Sequence, residues 1–349
     1  MLVASACTDT SVVSTTTTKL ATSTTTQTPA QTTSTAAPAT GSTTTPEPLF
    51  EWALAVFPVP AGSRPHDVAP ADDGGVWYTA QGSAELGWLD PKTGETRHIS
   101  LGSGSRPHGV IVGAGGTAWI TDSGRNSIIA VDPATDAITE YPLPEDRQDA
   151  NLNTAAFSAD GRLWFTGQSG VYGVLDPATG AMQVFDAPRG RGPYGITATP
   201  SGEIYYASLA GSYVGQVAPD GSVTVLVPPT PAQGARRVWS DSQGAIWVSE
   251  WNSGQLSRYE PDTETWATWP LPGPQPQAYA VYVDEADFVW VSDFGGNAVH
   301  RFDPSTETFD TIELPSNPSN VRQILGRPGE VWLPESAADQ LVAVLWPGG

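Results

Sequence analysis

From Leu54 onward, apolar residues come in short runs of four to six positions, broken by Gly, Pro, Asp and Asn. Runs of that length between turn-formers predict β-strands, and no window holds a sustained helical spacing, so almost no helix is expected. The strongest run carries an aromatic that recurs as Trp77, Trp119, Trp164, Tyr205, Trp247, Trp290 and Trp332, at intervals of 42, 45, 41, 42, 43 and 42. A period in the low forties, copied seven times, predicts a ring of repeated sheets. Each copy reads as four strands. The first follows a Pro-His-like turn, as at Gly109–Val112, and the second carries the aromatic, as at Arg162–Thr166. A third ends in an acid and a proline, as at Ile129–Pro133, and a fourth ends near Leu-Pro, as at Thr139–Pro144. Asp160-Gly161 and Gly115-Gly116 suit tight hairpins before the aromatic strand, and Asp132-Pro133 and Asp176-Pro177 suit turns after the third.

The last copy stops after Gln340–Leu345, one strand short, while Leu54–Pro60 reads like a fourth strand with no copy before it. The N-terminal strand is therefore expected to pair with the third strand of the last copy and close the ring, removing an open sheet edge. The fold class is all-β: a seven-bladed β-propeller of four-stranded antiparallel blades spanning 49–349.

Composition changes the picture mainly ahead of Leu49. Residues 8–48 are almost entirely Thr, Ser, Ala, Pro and Gln and have too little apolar surface to offset ordering, so a disordered tether is expected. Residues 1–7 end in Ala4-Ser5-Ala6-Cys7, which resembles a bacterial lipobox lacking its basic and most of its apolar region. Cys7 is the expected lipidation site. Together they predict an exported lipoprotein on the cell envelope, or a secreted protein, touching membrane only through that anchor. Cys7 is the one cysteine, so no intrachain disulfide forms. A formal charge of −21 disfavours nucleic acid and anionic lipid as partners. A monomer that takes a small-molecule or peptide ligand at the channel mouth is expected.

Candidate chemistry follows from the repeat. Eleven residues before each aromatic, where the chain enters the innermost strand, stand His66, His108, Asn153, Tyr194, Arg236, Tyr279 and Val321. Six of these are polar or hydrogen-bonding, which a plain apolar core does not need. Two of the chain's four histidines fall here in adjacent blades, preceded by Arg64 and Arg106 in matching Arg-Pro-His turns. Three residues past the aromatics come Asp122, Glu250, Asp293 and Glu335, expected at the rim of the same face. An imidazole pair, guanidiniums and carboxylates suit acid–base or metal-assisted chemistry, with Asp122 and Glu335 as metal candidates. The competing reading makes the acids structural caps of loops, and the tyrosines channel packing instead of ligand stacking. His98 and His300 lie on outer and third strands and read as surface or packing residues.

Gly192-Pro193-Tyr194-Gly195-Ile196 and Leu163-Trp164-Phe165-Thr166, with the Leu-Pro exits, resemble the repeats of the streptogramin B lyases (virginiamycin B lyases) over residues 54–346. The resemblance implies a seven-bladed propeller that opens a cyclic depsipeptide antibiotic by elimination at its ester, with Mg²⁺. It implies a base and a substrate contact at two Pro-His turns, hence His108 as base and His66 as contact, in a resistance enzyme. In the family the pair belongs to the last two blades, here to the first two. A Glu two residues before the base helps hold the family's metal, and Arg106 occupies that position here. A guanidinium cannot ligate Mg²⁺, so either a rim acid holds a displaced metal or Arg106 itself stabilises the developing oxyanion. Two other readings stand beside a lyase. One is a non-catalytic, surface-tethered ligand- or protein-binding module. The other is a metal-dependent propeller lactonase or esterase using Glu250, Asp293, Glu335 and Asn153 as oxygen ligands.

Overall fold

The computed structural model describes residues 51–346. The expectations for Cys7 and for 8–48 lie outside them.

Seven four-stranded antiparallel sheets follow one another along the chain, each ordered from its inner to its outer strand. The inner strands are Pro65–Pro70, Pro107–Val112, Leu152–Phe157, Pro193–Ala198, Ala235–Ser240, Ala278–Val283 and Leu325–Arg327. The aromatic strands pair directly with them, for instance Ile111 with Trp119 and Tyr282 with Trp290. A single 3₁₀ turn at Ala114–Gly116 is the only helix among the described residues. The ring closes as the repeat count requires. Ala53–Pro58 lies antiparallel to Gln340–Leu345, from Ala53 opposite Leu345 to Pro58 opposite Gln340. It supplies the fourth strand of the last blade, and Phe57 packs 5.3 Å from Trp332.

The aromatics of the repeat are core. Trp77, Trp247, Trp290 and Trp332 are each 1% exposed or less, wedged between blades with Val and Leu from both neighbours. Flat rings suit this wedge because they fill a gap between two twisted sheets without branching into either.

Two regularities position the site. Each of the first six inner strands carries a register shift just after its entrance, such as that between Pro65 and Val68 or between Pro107 and Gly109. A bulge re-aims side chains, and these bulges contain the residues eleven before each aromatic. A hydroxyl two residues past the aromatic then ties bulge to next blade. Thr121 Oγ1 accepts from the Gly109 N–H at 2.9 Å and donates to the Asn153 carbonyl. Thr79, Thr166, Ser249 and Ser292 make the same bridge to the carbonyls of His108, Tyr194, Tyr279 and Val321. Ala207 breaks the series in blade 4.

The last blade departs from the pattern. Its inner strand is three residues long, with Val321 opposite Glu335 as an isolated bridge ahead of it. Side chains stitch the seam instead: Gln323 Oε1 accepts from the Val68 N–H at 2.9 Å, and Arg327 donates to the carbonyls of Gly74 and Gly75.

Candidate functional site at the channel mouth

The bulges of blades 1 and 2 bring His66 and His108 together, with ring centroids 3.9 Å apart and planes tilted by 47°. Both are about 95% buried, at 5% and 6% exposure, yet both line a cleft of about 590 Å³ between the blades. Arg64, Arg106, Gln81, Ser105, Ser123 and Asn151 complete its wall. Below the imidazoles the channel narrows to about 40 Å³, room for little more than a water.

His66 Nδ1 lies 2.7 Å from Asp67 Oδ1. Asp67 in turn accepts from Arg237 Nη2 at 3.2 Å, across the channel from blade 5. A carboxylate paired with a guanidinium only accepts, so the His66 proton sits on Nδ1 and its Nε2 lone pair is left free. Gly195 makes room for this reach: a Cβ there would sit 2.6 Å from the Arg237 Cα and 3.0 Å from its Cδ. His108 Nε2 lies 3.3 Å from Asn153 Nδ2, while its Nδ1 is buried with no partner.

Electrostatics keep both imidazoles neutral. Burial, then the positive charges of Arg237, Arg322 and Arg236, hold His66 well below the ordinary histidine value of 6.5. Burial, then His66 itself, does the same to His108. Burial pushes Asp67 up, opposed by Arg237.

The other sequence-derived positions form the opposite wall. Arg236 lies 3.5 Å from the Tyr279 ring centroid and 4.4 Å from that of Trp251, and donates to the Tyr194 hydroxyl at 3.3 Å. The Tyr194 and Tyr279 hydroxyls share a hydrogen bond. Burial raises Tyr194, but the charges of Arg236 and Arg237 outweigh it and draw this phenol down. These side chains are packed into one cation–π stack, so their first job is to shape the mouth.

The rim acids do not join the histidines. Asp122 is fully buried and its oxygens are taken by the Ser105 hydroxyl and by the backbone N–H groups of Arg106, Gly124 and Arg125. Glu335 Oε2 is held by Ser316 and Gln340, and Glu250 by Ser253, Gln255 and Ser257. Asp293 Oδ1 accepts from the N–H groups of Gln277 and Gly295. The expectation of Asp122 and Glu335 as a metal pair is therefore corrected: both turn into their own blades, Asp122 onto loop N–H groups that need acceptors and Glu335 onto the Ser316 hydroxyl and the Gln340 amide. Among the described residues Glu250, Asp293 and Glu335 do not come together as a ligand group either. Among the described residues, one group of three potential ligands comes together, His66, Asp67 and His108.

Asp67 and Arg237 are the residues that sequence reasoning missed. The signal was there one position on: Asp67, Gly109, Thr154, Gly195, Arg237, Ala280 and Arg322 follow the seven channel residues, and the three charged ones stand out. His98 and His300 fall elsewhere. His98 bridges the Tyr78 hydroxyl at 2.7 Å and Glu85 at 2.9 Å within blade 1, and His300 contacts Thr311 at 3.0 Å within blade 6.

Residues 51–267 match the family model described as the virginiamycin B lyase family. Among solved structures, a streptogramin B lyase superposes with a TM-score of 0.78 at 22% identity, covering 84% of this chain and 98% of that one. The selenomethionine form of virginiamycin B lyase from Staphylococcus aureus gives 0.79 at 18% identity, covering 84% and 99%. The extracellular domain of a putative hybrid two-component system from B. thetaiotaomicron gives 0.66 at 17%, covering 83% of this chain and 42% of that one. At these identities the likeness is one of fold. No curated protein matches the sequence.

Proposed function

The chain belongs to the virginiamycin B lyase family, and from that premise we propose that it is a carbon–oxygen lyase opening an ester, in a cyclic depsipeptide or a related molecule, at the mouth between blades 1 and 2. The observation that carries this reading is the Arg237–Asp67–His66 chain ending on a free Nε2 beside a second imidazole, in a cleft open to ligand. In such an elimination the Nε2 takes a proton from the carbon next to a carbonyl. The electron pair left behind becomes a carbon–carbon double bond, and the carbon–oxygen bond to the ester breaks to give a carboxylate. No water is consumed. Hydrogen bonding favours His66 as the base, oriented by Asp67, and His108 as the substrate contact, the reverse of the order that the resemblance implied.

Mg²⁺ does not fit this donor set. It takes oxygen ligands, with several waters retained, whereas here two donors are imidazoles and the one carboxylate, Asp67, is already bound to Arg237 and His66. Arg106 adds positive charge where the family places a carboxylate. No step is routed through a metal.

A panel of cyclic depsipeptides, followed by ultraviolet absorption of the unsaturated product, tests the reading. His66→Asn is expected to lower kcat by at least about a hundredfold, while His108→Asn acts chiefly on KM. Absence of turnover across the panel with folded protein would sink the lyase assignment and leave the non-catalytic binding module.

A further inference from the structure

The wall of the cleft carries two guanidiniums that meet no carboxylate directly. Arg64 and Arg106 are exposed, and neither guanidinium has a partner among the described residues. Elsewhere Arg97, Arg125, Arg147, Arg162, Arg258 and Arg327 each meet a carboxylate, and Arg189, Arg236 and Arg322 each lie over an aromatic ring. Among the described residues Arg64 and Arg106 do neither, and they alone share a cleft with the two imidazoles. No Asp or Glu is among the residues lining this cleft.

The two arginines are also held in place from behind. The Arg64 N–H donates to Asp339 Oδ1 at 2.7 Å and the Arg106 N–H to Asp122 Oδ1 at 2.8 Å. Gly82 and Gly124, at matching places in the two blades, let the chain press against these loops. A Cβ on Gly82 would lie 2.1 Å from the Gly62 carbonyl oxygen, and one on Gly124 would lie 2.8 Å from the Arg106 nitrogen. Two backbones fixed in register thus present two unpaired forks to one cavity, next to a buried, unpartnered His108 Nδ1.

We propose that this cleft is a carboxylate subsite, in which Arg64 and Arg106 hold an anionic group of the ligand beside the imidazoles, so that the substrate is an ester that also bears a free carboxylate. A guanidinium fork matches a carboxylate in shape and charge, and two forks on one cleft can hold the same group together. The acidic remainder of the molecule repels such a ligand elsewhere and leaves this cleft as its place of entry. The proposal rests on the elimination reading for what happens to the ligand, but not for its binding.

Calorimetric titration with benzoate and with its neutral counterpart benzamide, in EDTA, tests it. Benzoate is expected to bind at least about tenfold tighter than benzamide. Arg106→Ala should weaken benzoate by about tenfold, and the Arg64→Ala/Arg106→Ala pair should abolish the preference. Arg106→Lys should restore part of it, and unchanged melting temperatures would show that the variants fold. Benzoate binding no tighter than benzamide, benzoate binding that survives the double substitution, or binding that needs Mg²⁺ overturns the proposal. Depsipeptide turnover in the same preparations separates the two readings. Arginine-dependent benzoate binding without turnover removes the elimination alone, and turnover without anion preference removes the subsite alone.

Discussion

Asp67 is the residue on which the site turns. Its carboxylate orients the His66 ring, and Arg237 opposes the burial that pushes the Asp67 proton affinity up. Burial and the three arginines hold the His66 proton affinity down, and the sign of the consequence is definite. A base that stays unprotonated below its ordinary value keeps working as pH falls, so kcat/KM should hold its plateau through pH 6.5 and decline only below it. Stability should move the other way. The unfolded chain takes up protons near pH 6.5 that the folded site refuses, so folding weakens as pH falls below that value. A pH series of kcat/KM alongside melting temperature checks both. An acid limb at or above pH 6.5 contradicts the assignment.

At the scale of the strand, the bulge and the hydroxyl bridge are one device. The bulge frees an N–H from the ladder, and Thr121 recovers it while binding the Asn153 carbonyl of the next blade. Thr121→Val keeps the shape and removes both bonds, and is expected to cost about 1–3 kcal/mol by leaving buried backbone groups unpaired. Denaturant melts measure this, and the same substitution should loosen the mouth, raising KM. An unchanged midpoint would show that the bridge carries no stability. The bulge also explains where sequence reasoning succeeded and failed. Counting eleven back from each aromatic found His66, His108, Asn153, Tyr194, Arg236 and Tyr279 because the repeat spacing is kept up to the bulge. It missed Asp67 and Arg237 because a bulge sets two successive residues toward the channel where an alignment counts one. The rim acids were misplaced for a different reason: an offset locates a Cα, whereas Asp122 turns toward whichever N–H groups its loop leaves unpaired.

For the whole molecule, periodicity was the legible part. Aromatic spacing gave the number of blades, and the missing fourth strand of the last copy gave the closure seen between Ala53–Pro58 and Gln340–Leu345. Function was less legible because a near-symmetric ring averages seven turns, and chemistry resides where the copies differ. The proposed site takes up such a difference in blades 1 and 2, with blade 5 reaching across through Arg237. The central claim is that this asymmetric mouth breaks an ester by elimination without a metal ion. Mass spectrometry of a turned-over cyclic depsipeptide, in EDTA and heavy-oxygen water, tests it most directly. The expected product is a linear isomer of unchanged mass carrying no heavy oxygen. A product heavier by one labelled water, or a reaction that EDTA abolishes, would contradict it.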